Sequence, residues 1–176
     1  MPKKGLIIVF TGDGKGKTTA AMGMAFRAVG HGLSTLMIQF IKGSMHYGEL
    51  EAAKRLAPHF KILPMGRGFV RPGRGGADPE DIRAVREAWD YFLEEMGSGT
   101  YDMIILDEIN YAVKFGLISV DEVLEGLRKR PPGLHLVLTG RDARKEVVEM
   151  ADLATEMREI KHSFQEGIKA QQGIEY

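Results

Sequence analysis

Between the apolar run Leu6–Phe10 and a helix-like run from Thr18 to Val29, the chain reads Thr11-Gly12-Asp13-Gly14-Lys15-Gly16-Lys17-Thr18-Thr19. Glycine at alternate positions lets the backbone turn several N–H groups inward without a Cβ clash. Lys17 is placed to reach the outer phosphates of a nucleotide, and the Thr18 hydroxyl suits Mg²⁺. The helix N-terminus adds its positive dipole end. The pattern G-x-x-x-x-G-K-[ST] asks for glycine where Thr11 stands, so the match fails at one position while the strand–loop–helix context holds. Nucleotide binding is therefore expected from Gly12, Asp13, Gly14, Lys15, Gly16, Lys17, Thr18 and Thr19.

Three further stretches bear on this chemistry. In "YDMIILDEINY" a buried-type strand ends in Asp107-Glu108, where such folds place the partner of Mg²⁺; both acids are candidates. Arg27 is the sole charged residue from Thr19 to Val29, on a helix whose small apolar composition predicts burial nearly all round. A buried guanidinium needs an anion, either a structural carboxylate or a bound polyphosphate. Met65–Ala77, "MGRGFVRPGRGGA", has five glycines, three arginines and no acid. It reads either as a solvated loop or as a lid in which Arg67, Arg71 and Arg74 gather phosphate charge.

The elements that position these residues alternate between strand and helix. Strands are expected at Leu6–Phe10, Thr35–Phe40, Phe60–Leu63, Tyr101–Leu106, Leu134–Thr139 and Glu156–Lys161. Helices are expected at Thr18–Val29, His46–Leu56, from Asp78 to about Met96, from Ser119 to about Lys129, and from about Asp142 to Leu153. Asp78-Pro79 and Ser119-Val120-Asp121-Glu122 carry N-terminal capping signals. Alternation predicts an α/β fold, a mostly parallel sheet with helices on both faces, in one domain.

Composition narrows the classes. The 176 residues suffice for one cored domain, with 44% hydrophobic and 27% charged residues. Lys+Arg and Asp+Glu both number 24, so no net charge draws the chain to nucleic acid or to an anionic membrane. The absence of cysteine removes disulfides, zinc-thiolate and iron–sulfur sites. No signal peptide or long apolar span is legible, so no membrane association and a cytoplasmic location are expected. The five histidines are scattered and suggest no general base. Thr139-Gly140-Arg141-Asp142 lacks the lysine of a guanine-reading signature, which disfavours GTP.

"GLIIVFTGDGKGKTTAAMGMAFRAVGHG", "QFIKG", "LDEINYA", "LTGRDA" and "KHSFQEGIKAQQGIEY" together resemble the ATP:corrinoid adenosyltransferases with a phosphate loop, in order and over almost the whole chain. The resemblance implies a RecA-like P-loop fold and transfer of the 5′-deoxyadenosyl group of ATP to a Co(I) corrinoid, with triphosphate leaving. It implies a nucleotide lying reversed in the loop, Mg²⁺ at Thr18 and Glu108, and phosphate contacts at Arg27 and Arg141. It implies a corrinoid-facing segment beginning at Gly68-Phe69, a flavoprotein reductant and a homodimer. Two features depart from the family pattern. Arg71 stands where a second aromatic is common, and the N-terminal extension that covers the site in some members is expected to be missing here or replaced by cover from elsewhere. A small phosphoryl-transferring kinase and a nucleotide-gated corrinoid carrier are the competing readings.

Overall fold

The computed structural model describes residues 4–43, 47–68 and 77–175. Six strands form one sheet: β1 (Ile7–Thr11), β2 (Thr35–Gln39), β3 (Phe60–Pro64), β4 (Met103–Asp107), β5 (His135–Thr139) and β6 (Leu153–Glu156). Their order is β3-β2-β4-β5-β1-β6, and every described pair is parallel. Parallel pairing needs crossovers, which the helices supply. These are α1 (Lys17–Val29), α2 (Gly48–Arg55), α3 (Pro79–Ser98), α4 (Ile109–Lys114), α5 (Val120–Arg128) and α6 (Lys145–Met150).

Side-chain alternation along the strands divides the core in two. Ile7, Val9, Leu36, Ile38, Ile104, Leu106, Leu136 and Leu138 pack with Trp89, Phe92, Leu124 and Leu127 under α3 and α5. Their neighbours Ile8, Phe10, Met37, Ile105 and Val137 pack with Ala21, Ala25, Ala28 and Ala53 under α1 and α2. Both faces are thus covered, which is why the central strands read as unbroken apolar runs. The caps expected from sequence are present. Asp78 Oδ1 accepts from Glu80 N at 2.9 Å with Pro79 at the first helical position, and Ser119 Oγ accepts from Glu122 N at 3.2 Å.

Two expectations fail. The last strand lies at Leu153–Glu156, not Glu156–Lys161. The Asp152 carboxylate accepts from Ile7 N at 2.9 Å, and Asp152 N donates to Ile7 O at 2.8 Å. This two-way clamp starts the pairing of β6 with β1 three residues early and limits α6 to Lys145–Met150. Helix α1 is also not buried all round. Ala21, Ala25 and Ala28 form one buried stripe, while Phe26 and Arg27 are exposed on the other side.

Beyond β2 the chain passes close against the segment that follows β3. Gly68 N donates to Ile41 O at 2.8 Å, and Gly66 N to Lys42 O at 3.0 Å. A Cβ on Gly66 would lie 2.2 Å from the Ile41 carbonyl oxygen, and one on Gly43 2.8 Å from the Arg67 carbonyl carbon. Backbone cannot yield as a side chain tip can, so Gly66→Ala should destabilise by about 1–3 kcal/mol or more. Thermal unfolding checks this; an unchanged melting temperature would show the crossing to be loose.

Candidate active site

The glycine loop leaves β1 and enters α1 at the carboxyl edge of the sheet, where open parallel sheets bind ligands. Gly12 and Gly16 have φ of 92° and 114°, the left-handed region in which a side chain is strained. Gly14 meets a different requirement: a Cβ there would come within 2.8 Å of the backbone at Met157 and Arg158. Its N–H donates to Met157 O at 2.7 Å, and Met157 N donates to Thr11 O at 2.8 Å. The loop is therefore built against the chain just past β6.

Lys17 opens α1 and is 8% exposed. Its Nζ donates to Gly12 O and Gly14 O, both at 2.7 Å, which holds the ammonium over the loop. Burial lowers its pKa from the usual lysine range; Glu108 opposes that shift and the Arg141 cation adds to it.

The two acids after Leu106 have different surroundings. Asp107 is fully buried. Its Oδ1 accepts from Thr18 Oγ1 at 2.8 Å and Thr139 Oγ1 at 2.7 Å, and its Oδ2 from Gln39 Nε2 at 3.3 Å. It joins α1, β2, β4 and β5 at one point. Glu108 turns out of the strand with φ 65° and faces the cavity. Its N–H donates to Thr139 Oγ1 at 2.9 Å. Burial raises its pKa, the adjacent Asp107 charge adds to the rise, and Lys17, Lys42 and Arg141 oppose it.

That shift has a definite sign. A carboxyl whose folded pKa is raised is penalised when ionised, so the penalty is complete above the folded pKa and gone below the unfolded value near 4.5. Glu108→Gln should therefore melt above the wild type at neutral pH when both lack nucleotide and Mg²⁺. The gap should close as pH falls toward 4.5. Melting curves across pH test it; a gap that widens in acid would reverse the assignment.

One cavity of about 830 Å³ opens over this edge. Asp13, Gly14, Lys15, Gly16, Lys17, Thr18, Thr19, Glu108 and Arg141, all singled out from sequence, line it together. Gly12 contributes its carbonyl to Lys17 without lining the cavity. Arg27 does neither: it is exposed on α1, ten residues beyond Lys17 or about 15 Å of helix rise away. The small-residue pattern suggested a buried guanidinium because the exposed face of α1 is itself apolar. Gly68, with φ 110°, sits at the crossing with Ile41; Phe69 and Arg71 lie outside the described residues. Arg67 pairs with Asp78, Glu80 and Asp81 at the start of α3, so it is engaged there and not over the loop.

Sequence reasoning missed the opposite wall. Lys42 and Tyr47 line the cavity from the β2–α2 connection, Glu49 from the first turn of α2, and Tyr111 from α4. Lys42 ended an apolar strand as a lone cation, a signal that was available. His162 also lines the cavity, and its Nδ1 accepts from Phe164 N at 3.2 Å as a cap.

The architecture and the lysine-bearing glycine loop define a P-loop nucleotide-binding α/β protein. Flagellar accessory protein FlaH from Methanocaldococcus jannaschii shares the fold, with a TM-score of 0.59 at 13% identity over 88% of this chain and 72% of that one. The family profile of the ATP:corrinoid adenosyltransferases BtuR/CobO/CobP matches residues 3–176, and the chain belongs to that family. It is 44% identical to a corrinoid adenosyltransferase of Sinorhizobium sp, over 99% of this chain and 81% of that protein. It is 39% identical to the corrinoid adenosyltransferase of Escherichia coli, and 37% identical to corrinoid adenosyltransferase CobA of Salmonella typhimurium. Each of these two alignments covers 99% of this chain and 87% of the relative.

Proposed function

We infer that this chain, acting as a single domain, transfers the 5′-deoxyadenosyl group of ATP to the cobalt of a Co(I) corrinoid and releases triphosphate. The observation that carries the reading is the lysine-bearing phosphate loop, in a member of this family, opening into the cavity lined by Glu108 and Arg141; the reaction asks for no general base. Co(I) is a strong nucleophile and needs none. Its electron pair forms the Co–C5′ bond, the C5′–O pair departs with the triphosphate, and cobalt becomes formally Co(III). The protein's task is to hold the leaving anion and to align cobalt, C5′ and oxygen. A single preorganised donor at such an anion contributes roughly 2.7–4 kcal/mol, and alignment up to roughly 7–11 kcal/mol.

Lys17 and the loop N–H groups oppose the charge that grows on the triphosphate, with Arg141 on the same wall. The hydroxyl of Thr18, held by Asp107, and the carboxylate of Glu108 are hard oxygen donors. They suit Mg²⁺, which commonly takes one or two carboxylates along with substrate phosphates. When bound, the cation would neutralise polyphosphate charge. Its presence near Glu108 also fits a carboxyl that burial would otherwise drive toward its neutral form. The engaged Arg67 argues against a phosphoryl-transferring lid.

By family likeness, Gly68 and Phe69 begin the corrinoid-facing segment, in which Arg71 replaces the common second aromatic, and Phe69 displaces the lower axial ligand so that Co(II) is more easily reduced. A flavoprotein supplies the electron, and the protein works as a cytoplasmic homodimer. No described helix is long and apolar enough to cross a membrane. Phe69→Ala should lose more activity from Co(II) plus reductant than from preformed Co(I); equal losses would remove the ligand-displacing role. The reading itself is tested with Mg-ATP and chemically reduced corrinoid. Intact triphosphate and a light-sensitive Co–C product support it. ADP with a phosphorylated acceptor, or bound ATP left unchanged, overturns it.

A further inference from the structure

The cavity wall of Lys42, Tyr47 and Glu49 has no role in the chemistry above, yet it carries a largely buried ion pair. Lys42 Nζ and Glu49 Oε1 form an ion pair at 2.7 Å, with side chains only 23% and 12% exposed. The Lys42 ammonium also lies 4.7 Å from the centre of the Tyr47 ring. Tyr47 is the N-cap of α2, which sets Glu49 at the second helical position with its carboxylate toward the cavity.

We propose that this ion pair reads the ribose, the Glu49 carboxylate accepting a hydrogen bond from one of the 2′- and 3′-hydroxyls of the bound nucleoside. The assignment rests on the adenosyl-transfer reading and on the place of the pair. Ile41, Lys42 and Gly43 are braced against residues 66–68, where the corrinoid-facing segment begins. A nucleotide with its phosphates at Gly14–Thr18 and its C5′ turned toward that segment lays its ribose between them, along the wall of Lys42 and Glu49.

The chemistry suits a ribose hydroxyl. An ionised carboxylate only accepts and has about four lone-pair sites; Lys42, the Gln39 side chain and the Glu49 backbone N–H draw on three of them, which leaves capacity for one hydroxyl donor. A carboxylate in a polyphosphate cavity would repel the substrate if its charge were bare. Lys42 offsets that charge and fixes the carboxylate orientation.

The test is equilibrium binding of Mg-ATP, 2′-deoxy-ATP and 3′-deoxy-ATP to the full chain by calorimetry, without corrinoid. A hydrogen bond to a charged group predicts that the wild type favours ATP about tenfold or more over one of the two deoxynucleotides, the one lacking the contacted hydroxyl. Glu49→Ala should weaken ATP about tenfold and leave that deoxynucleotide within about twofold, so that the preference disappears. Glu49→Gln, which keeps the side-chain shape, repeats the comparison if the alanine variant does not fold. Equal wild-type affinity for all three nucleotides overturns the proposal, as does a Glu49 variant that retains the full preference. The readout needs no transfer, so a protein that discriminates by ribose yet yields no triphosphate would sink the adenosyl-transfer reading and leave the ribose contact standing.

Discussion

Replacing Lys17 with alanine is expected to lower the rate of triphosphate release by a hundredfold to a thousandfold while the protein remains folded. The magnitude follows from removing one preorganised charge at a developing anion. The fold should survive because Lys17 bonds only to the loop carbonyls of Gly12 and Gly14, outside both apolar clusters. Lys17→Arg should recover little. A guanidinium is planar and longer, and the 2.7 Å contacts to the two loop carbonyls suit a compact ammonium. Turnover with preformed Co(I), together with far-UV circular dichroism, separates the two effects. A Lys17→Ala enzyme with near wild-type turnover would remove the lysine from the mechanism.

The second large effect is expected at Asp107, a residue that acts through another. Asp107→Asn keeps the volume, and the hydroxyls of Thr18 and Thr139 can rotate to accept where they had donated. The melting temperature should therefore fall only modestly. What is lost is the charge that aims the Thr18 hydroxyl. Partners one step behind a metal ligand typically contribute 10–100-fold to metal affinity or activity. The Mg²⁺ concentration for half-maximal turnover should rise by about that factor. A purely structural role would instead move the melting temperature and leave the Mg²⁺ dependence unchanged, and that outcome would overturn the assignment.

Most of this machinery was legible where the signal was local. Gly12, Gly14 and Gly16 announce a backbone requirement, Asp78 and Ser119 announce helix starts, and the apolar runs announce strands buried on both faces. Failures occurred where distant residues decide. The Asp152–Ile7 clamp starts β6 three residues early, and nothing near Glu156 reveals it. Helix α4 is six residues long and begins after the left-handed turn at Glu108, too short for a periodic pattern. Arg27 was misplaced because Gly23 and Phe26 make the exposed face of α1 look like a buried one. Asp107 and Glu108 were equivalent by spacing and separated only through Thr18, Thr139 and Gln39. The pairing of Lys42 with Glu49 depends on the turn of the chain between β2 and α2, which carries no sequence signature of its own.

The anchoring of Gly14 and Thr11 to Met157 has a consequence for biogenesis. The residues proposed to grip phosphate are written within the first twenty positions, but the glycine loop is braced against a strand end made some 140 residues later. A ribosome adding about 5–20 residues per second therefore displays the glycine segment unshaped for roughly 7–28 seconds. Nucleotide cannot template this protein's early folding, and a nascent chain arrested before residue 157 should carry the whole motif and still fail to retain ATP.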